Sequence, residues 1–215
     1  MADEPQEKYA MAFIDGQNLF QHAKAAFGHF HPNFDPIKLH KAVCAEKGWI
    51  PNLVRFYTGI PDKRESSMWA GYWEKRLLWM KRAGIHVVTR PLRYRKQEIE
   101  HPDGTKEIFS TAQEKGIDVR LALDIVGCAR KGEYNVGIIY SQDQDLTEVV
   151  EEVKDIAREH NRWIRLACAF PYGPNASSKR GVNGTDWIKM DEAFYNACLD
   201  PRDYRPARPQ LSFPK

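Results

Sequence analysis

Uninterrupted apolar runs alternate along this chain with segments that repeat their apolar positions at helical spacing. The first run, YAMAFID at 9–15, ends in a carboxylate and suits a parallel strand buried on both faces. GQNLFQHAKAAFG then predicts a helix closed by Gly28. FDPIKLHKAVCAEKG predicts another, with Pro36 in its first turn and Gly48 at its end. WIPNLVRFYTGIP predicts a strand, ESSMWAGYWEKRLLWMKRAG a long Trp-rich helix ended by Gly84, and IHVVTRPLRYRK a strand running into a basic segment. In QEIEHPDGTKEIFST the PDG tripeptide between short extended runs is a hairpin signal. KGIDVRLALDIVGCARKG predicts a helix with Leu121, Ala122, Ile125 and Val126 as its apolar stripe. YNVGIIYSQDQD predicts a buried strand ending in carboxylates, and DLTEVVEEVKDIAREH a helix with Asp145 near its start. WIRLACAFP is the last clear strand, and GTDWIKMDEAFYNACL reads as a closing helix or a strand followed by a helix.

Strands alternating with helices predict an α/β fold with a mostly parallel central sheet, here with a β-hairpin insertion at about 93–112. The 215 residues show no repeat and no linker. The expected organisation is a flexible lead-in at 1–8, one domain over 9–200 and an extended, basic, Pro-rich tail at 201–215. That tail sets Arg202, Arg205, Arg208 and Lys215 against Asp203, so it carries the whole net charge of +3. Any polyanion must therefore meet a local patch on the globular part. No apolar run approaches the roughly 20 residues of a membrane span, and MADEPQEK has no secretory core, so a cytoplasmic protein without a membrane partner is expected. Cys44, Cys128, Cys168 and Cys198 are too widely spaced for a thiolate metal site and are expected to be reduced core residues. The absence of HExxH, GxGxxG, GxxxxGK[ST] and GxSxG disfavours zincin, dinucleotide, P-loop and α/β-hydrolase chemistry.

The chemistry-bearing pattern is acidic. In a parallel sheet all strand carboxyl ends lie on one edge, and the helices that follow strands begin there. Asp15 and Asp143 end apolar strands, while Asp118 and Asp145 sit at helix starts, so the four belong to one rim. An Asp at such positions is also an ordinary cap, and Asp145 is the most cap-like. Asp124 lies six residues after Asp118, about 240° round a helix, on a different face, and stands as an additional acid only if the helix is irregular. Converged carboxylates repel and call for a hard divalent cation, Mg²⁺ or Mn²⁺, which suits phosphodiester hydrolysis. Asn18, three residues after Asp15, is placed to donate its amide to that carboxylate or to a metal-bound water, and Ser141 to meet water or phosphate.

Basic residues supply candidate substrate contacts. Arg93, Tyr94, Arg95 and Lys96 form a cationic run with one aromatic for stacking, or else a guarded edge strand. Lys115 lies beside Asp118, and Lys179 and Arg180 occupy a polar loop leaving the acidic edge. Trp69 and Trp73 have helical spacing and read as core.

FIDGQNL (13–19), KGIDVRLALDIV (115–126) and YSQDQDLTEVVEEV (140–153) resemble the three motif blocks of the NYN family, in the LabA-like branch of the PIN-like nucleases. TDWIKMDEAF resembles its closing segment, so the likeness spans about 9–195. The resemblance implies a PIN-like three-layer sandwich and a metal-dependent ribonuclease. It implies an acidic site of Asp15, Asp118 and Asp143, with Asp145 adjacent, Asn18 supporting and Asp124 at a frequently acidic position. Gln142 departs from the family's usual small residue, and the hairpin is longer than the family core. The expected function is thus an endoribonuclease using Mg²⁺ or Mn²⁺ on RNA, with a homodimer left open. The rivals are a non-catalytic RNA-binding module and a small-molecule phosphatase.

Overall fold

In a computed structural model, which describes residues 2–31, 33–100 and 106–206, one central sheet has helices on both faces. β1 (Tyr9–Asp15), β2 (Ile50–Ile60) and β3 (His86–Pro91) form one half. β6 (Val136–Tyr140), β7 (Arg165–Pro171) and β8 (Asp186–Met190) form the other. The order is β3-β2-β1-β6-β7-β8, and every pairing is parallel. β4 (Arg93–Glu100) and β5 (Lys106–Gln113) pair antiparallel as a separate hairpin. Its expected PDG turn lies outside the described residues, as do 207–215 of the expected tail. The α/β class, the parallel sheet and the hairpin insertion are those the sequence predicts, and the layering is that of a PIN-like sandwich.

Six helices complete the described fold: α1 (Gly16–Phe27), α2 (Pro36–Lys47), α3 (Ser67–Arg82), α4 (Ile117–Lys131), α5 (Thr147–Glu159) and α6 (Glu192–Ala197). β1 shows how the layers form. Alternate side chains point to opposite faces of a strand. Ala10, Ala12 and Ile14 pack into a core with Leu19, Leu39, Val43, Leu77 and Tyr195, from α1, α2, α3 and α6. Met11 and Phe13 pack into the other core with Leu121, Ile125, Val149 and Val153, from α4 and α5. No described helix is long and apolar enough to cross a membrane.

The structure resolves two elements in detail. The strand expected to run into a basic segment divides: β3 ends at Pro91, one further backbone bond runs from the Leu92 N–H to the Ile60 carbonyl at 2.9 Å, and the basic residues from Arg93 belong to the hairpin. The closing segment resolves into β8 followed by α6, capped by Asp191.

Gly16 starts α1 directly beneath the ring of Phe56, and a Cβ there would collide with that ring. Gly16→Ala is therefore expected to cost about 1–3 kcal/mol, read as a lowered melting temperature. An unchanged melting temperature would show that the α1–β2 contact is loose.

Candidate active site

The chain crosses from β1 to β2 on one side and from β6 to β7 on the other, so the sheet order diverges between β1 and β6. A crevice opens outside the carboxyl ends of strands at such a point. Asp15 emerges there as the cap of α1, its Oδ1 accepting the Asn18 N–H at 3.0 Å. The Asn18 side chain takes a different role from the one expected: its Oδ1 accepts the Gln142 N–H at 2.9 Å, stapling α1 to the segment after β6. The Ser141 hydroxyl bonds the Asp15 carboxylate and accepts the Asp143 N–H at 3.3 Å. Asp143 Oδ1 accepts the Asp145 N–H at 3.0 Å. Asp143, not Asp145, is thus the capping side chain, because a 3-10 turn (Gln144–Leu146) precedes α5.

The crevice is a cleft of about 430 Å³ lined by Asp15, Asn18, Glu114, Lys115, Asp118 and Asp143, with Gln17, Gln21, His22 and Gly116 along its wall. Asp118 lies in the first turn of α4, which starts after Gly116 at φ +82° without a side-chain cap. Glu114 and His22 were not singled out in the sequence. Glu114 precedes α4 in a stretch without periodicity, and its one signal is its i, i+4 relation to Asp118. His22 meets Ser177 Oγ at 3.3 Å through Nδ1, and burial lowers its pKa.

Uncompensated negative charge dominates the cleft. Burial, and then the Asp143 charge, push the Asp15 carboxyl up to about 6, against the opposing pull of the Asn18 and Gln17 amides. Burial, then Asp15 and Asp118, push Glu114 up to about 7, opposed by the Gly59 amide. Oxygen-only donors of this kind fit a hard divalent cation. Among the described residues, however, no three His, Cys, Asp or Glu side chains stand together as a ready-made metal cluster. Asp15 and Asp143 are instead turned toward backbone amides.

The remaining expected residues divide. Ser141 and Lys115 reach the cleft. Asp145 is exposed outside its lining. Asp124 is buried elsewhere, held by Tyr57 Oη at 2.9 Å, Arg55 at 3.3 Å and Arg120 at 2.8 Å. Arg93 and Arg95 are exposed on the hairpin, while the Tyr94 hydroxyl accepts the Asp62 N–H at 3.2 Å. The Lys96 side chain lies outside the described residues. Lys179 and Arg180 are exposed on a loop tied back to the site, since Gln142 Nε2 donates to the Ser178 and Arg180 carbonyls at 3.3 and 2.7 Å. Gln144 adds a bond to the Gly181 carbonyl at 3.1 Å. The large residue at 142 thereby supplies two of the three glutamine bonds that anchor this loop.

Asp15 and Glu114 bind protons more tightly in the folded state than in the unfolded chain. The stability they contribute is full below the usual carboxylate range of about 4 and is lost as pH rises through 6 and 7. Asp15→Asn and Glu114→Gln are therefore expected to raise the melting temperature at pH 8 and to change it little at pH 4. Equal shifts at both pH values would show that the carboxylates are not strained.

No curated protein matches the sequence. By fold the chain is similar to a crystal structure of a protein of unknown function from Vibrio parahaemolyticus. That match has a TM-score of 0.53 and 16% identity over 89% of this chain and 98% of that one. A ribokinase from Giardia lamblia aligns at a TM-score of 0.35, with 13% identity over 64% of this chain and 42% of that one, too low to bear on the fold. The model of the NYN domain matches residues 9–164. That span runs from β1 to the threshold of β7 and holds every carboxylate of the cleft, and the chain belongs to the NYN domain family.

Proposed function

We propose that this chain is a Mg²⁺- or Mn²⁺-dependent endoribonuclease of the LabA-like branch, acting as one domain over 9–200 in the cytoplasm. The observation that carries the reading is the convergence of Asp15, Glu114, Asp118 and Asp143 in one cleft, with Lys115 the one lining lysine or arginine among the described residues. The family, one of PIN-like nucleases, supports the same reaction class. All four cysteines are free and buried, which suits a reducing compartment.

Asp15, Asp118 and Asp143 are the residues that would hold the cation. When bound, the cation would neutralise them, attract a phosphate and make a water nucleophilic at neutral pH. The protein's own contributions are positional and acid–base. Asn18 and Ser141 fix the approach of β1 and the segment after β6. Glu114, whose carboxyl burial raises above its usual range, is the acid–base group of the cleft wall. Lys115 meets phosphate oxygen at the cleft wall, and Lys179 and Arg180 meet the strand from the tethered loop. A second reading, a non-catalytic RNA-binding module, draws on one observation: the acids do not stand as a preassembled metal cluster.

Labelled single-stranded RNA, structured RNA and DNA, incubated with Mn²⁺ or with chelator, separate the two readings. Cleavage of RNA that chelator abolishes is the expected result; binding without cleavage favours the second. Asp15→Asn, Asp118→Asn and Asp143→Asn are each expected to lower the cleavage rate at least about 100-fold with the fold intact. Asp145→Asn should cost less, since its side chain lies outside the cleft. Wild-type rates in all four would move the reaction elsewhere.

Arg93 and Arg95 are the described hairpin cations free to meet a strand's backbone. Arg93→Ala with Arg95→Ala should weaken RNA binding and flatten its salt dependence by roughly one to two logarithmic units per decade of salt. Filter binding across a salt series reads both. An unaltered slope with new light scattering would show that these arginines guard the hairpin edge against association.

A further inference from the structure

Beside the acidic cleft lies a second, smaller cavity of about 180 Å³, walled by Phe20, Trp69, Trp73, Leu92 and Pro61 with Phe30 at its edge. None of these residues enters the catalytic reading above. Its walls are rigid: the Trp69 ring packs edge-on against Tyr72 at 5.4 Å, and Trp73 packs on Phe56 at 6.2 Å. Phe30, by contrast, is 89% exposed, a large aromatic ring left in water at the cavity rim. The cavity is too small for a drug-sized ligand and suits one planar ring system.

The two cavities adjoin. Gln17 and Gln21, one turn apart on α1, line both. Gly59 lines the aromatic cavity while its amide bonds Glu114 in the acidic cleft. A side chain at Gly59 has no room, since a Cβ there would strike Leu92 and come within 3.3 Å of Glu114 Cγ. A ligand spanning the junction thus meets aromatic side chains on one side, carboxylates on the other and two amides between them. Aromatic faces stack on any base, and amides can bond a base edge. A strand of nucleic acid presents that alternation of base and phosphate; a small phosphate ester does not.

We propose that the aromatic cavity holds one unpaired nucleobase of the strand whose neighbouring phosphate lies in the acidic cleft, which rests on the nucleic-acid reading above. Phe20, Phe30 and Trp69 stack on the base, and Gln17 and Gln21 contact its edge or the joining sugar. The site therefore selects single-stranded segments over paired ones, because a paired base cannot leave its stack without cost.

The test uses the full chain carrying Asp118→Asn, in Mg²⁺, titrated with fluorescein-labelled adenylate hexamers that are intact or abasic at their central positions. The intact hexamer is expected to bind at least about fivefold more tightly than the abasic one and to quench tryptophan fluorescence. Phe30→Ala and Phe20→Ala should erase that difference while leaving abasic binding unchanged. Phe30 is a surface residue, so its variant keeps the test sound if Phe20→Ala perturbs the fold. Equal binding of the two hexamers, or equal weakening of both by the variants, overturns the base site and leaves the RNA reading standing. No binding of either hexamer overturns both.

Discussion

The burial of β1 on both faces sets the rest of the site. Ala10 to Ile14 are wholly excluded from solvent, so the strand belongs to two cores at once and cannot shift without opening both. A carboxylate cannot follow those residues into the interior, because an unpaired buried charge is costly. Asp15 therefore sits at the first position where the sheet edge readmits water. The connections on either side of β1 leave in opposite directions, so the same position is also where the crevice opens.

What greets the carboxylates there is a set of neutral donors. The Asn18 and Gln17 amides and the Ser141 hydroxyl serve Asp15, the Asp145 amide serves Asp143, and the Gly59 amide serves Glu114. Neutral donors stabilise a carboxylate without cancelling its field on its neighbours. Burial first, and then that remaining field, raise Asp15 and Glu114 in spite of their hydrogen bonds. The staple between Asn18 and Gln142 holds the two acidic segments together against this repulsion.

The elements legible in the sequence are those whose signal is local. A doubly covered parallel strand must be a continuous apolar run, and YAMAFID and VGIIY are such runs. The acids at their ends follow from the same logic. Glu114 was illegible because it belongs to no periodic segment and reaches the cleft only through the return from the hairpin, a long-range event. The inversion of roles between Asp143 and Asp145 turns on a 3-10 turn, which residue preferences do not distinguish from the first turn of α5. The Tyr94 hydroxyl looked available for a base, yet the hairpin's return past Asp62 commits it to a backbone amide. The aromatic cavity was hidden for a related reason: Trp69 and Trp73 have the spacing of core residues and do pack on the core, and only the meeting of α1, α3 and β2 makes them the wall of a space as well.

Asp124 shows how residues of one type part by their surroundings. It is more buried than Asp15 and lies on the same helix as Asp118, and by composition alone it competes for the site. Yet it is met by two guanidinium groups and a phenol, which cancel its charge and complete its hydrogen bonds. A buried acid so paired is a cross-link, here tying α4 to β2, and removing either side would strand the other. Among the described residues that line the cleft, the one lysine or arginine beside its acids is Lys115. Two of these acids, Asp15 and Glu114, carry the strain as carboxyls that burial raises above their usual range. An imbalance kept at a sheet's switch point, beside a loop tied down by two glutamines, marks a candidate site; the fully paired Asp124 marks a place where an aspartate holds the fold together.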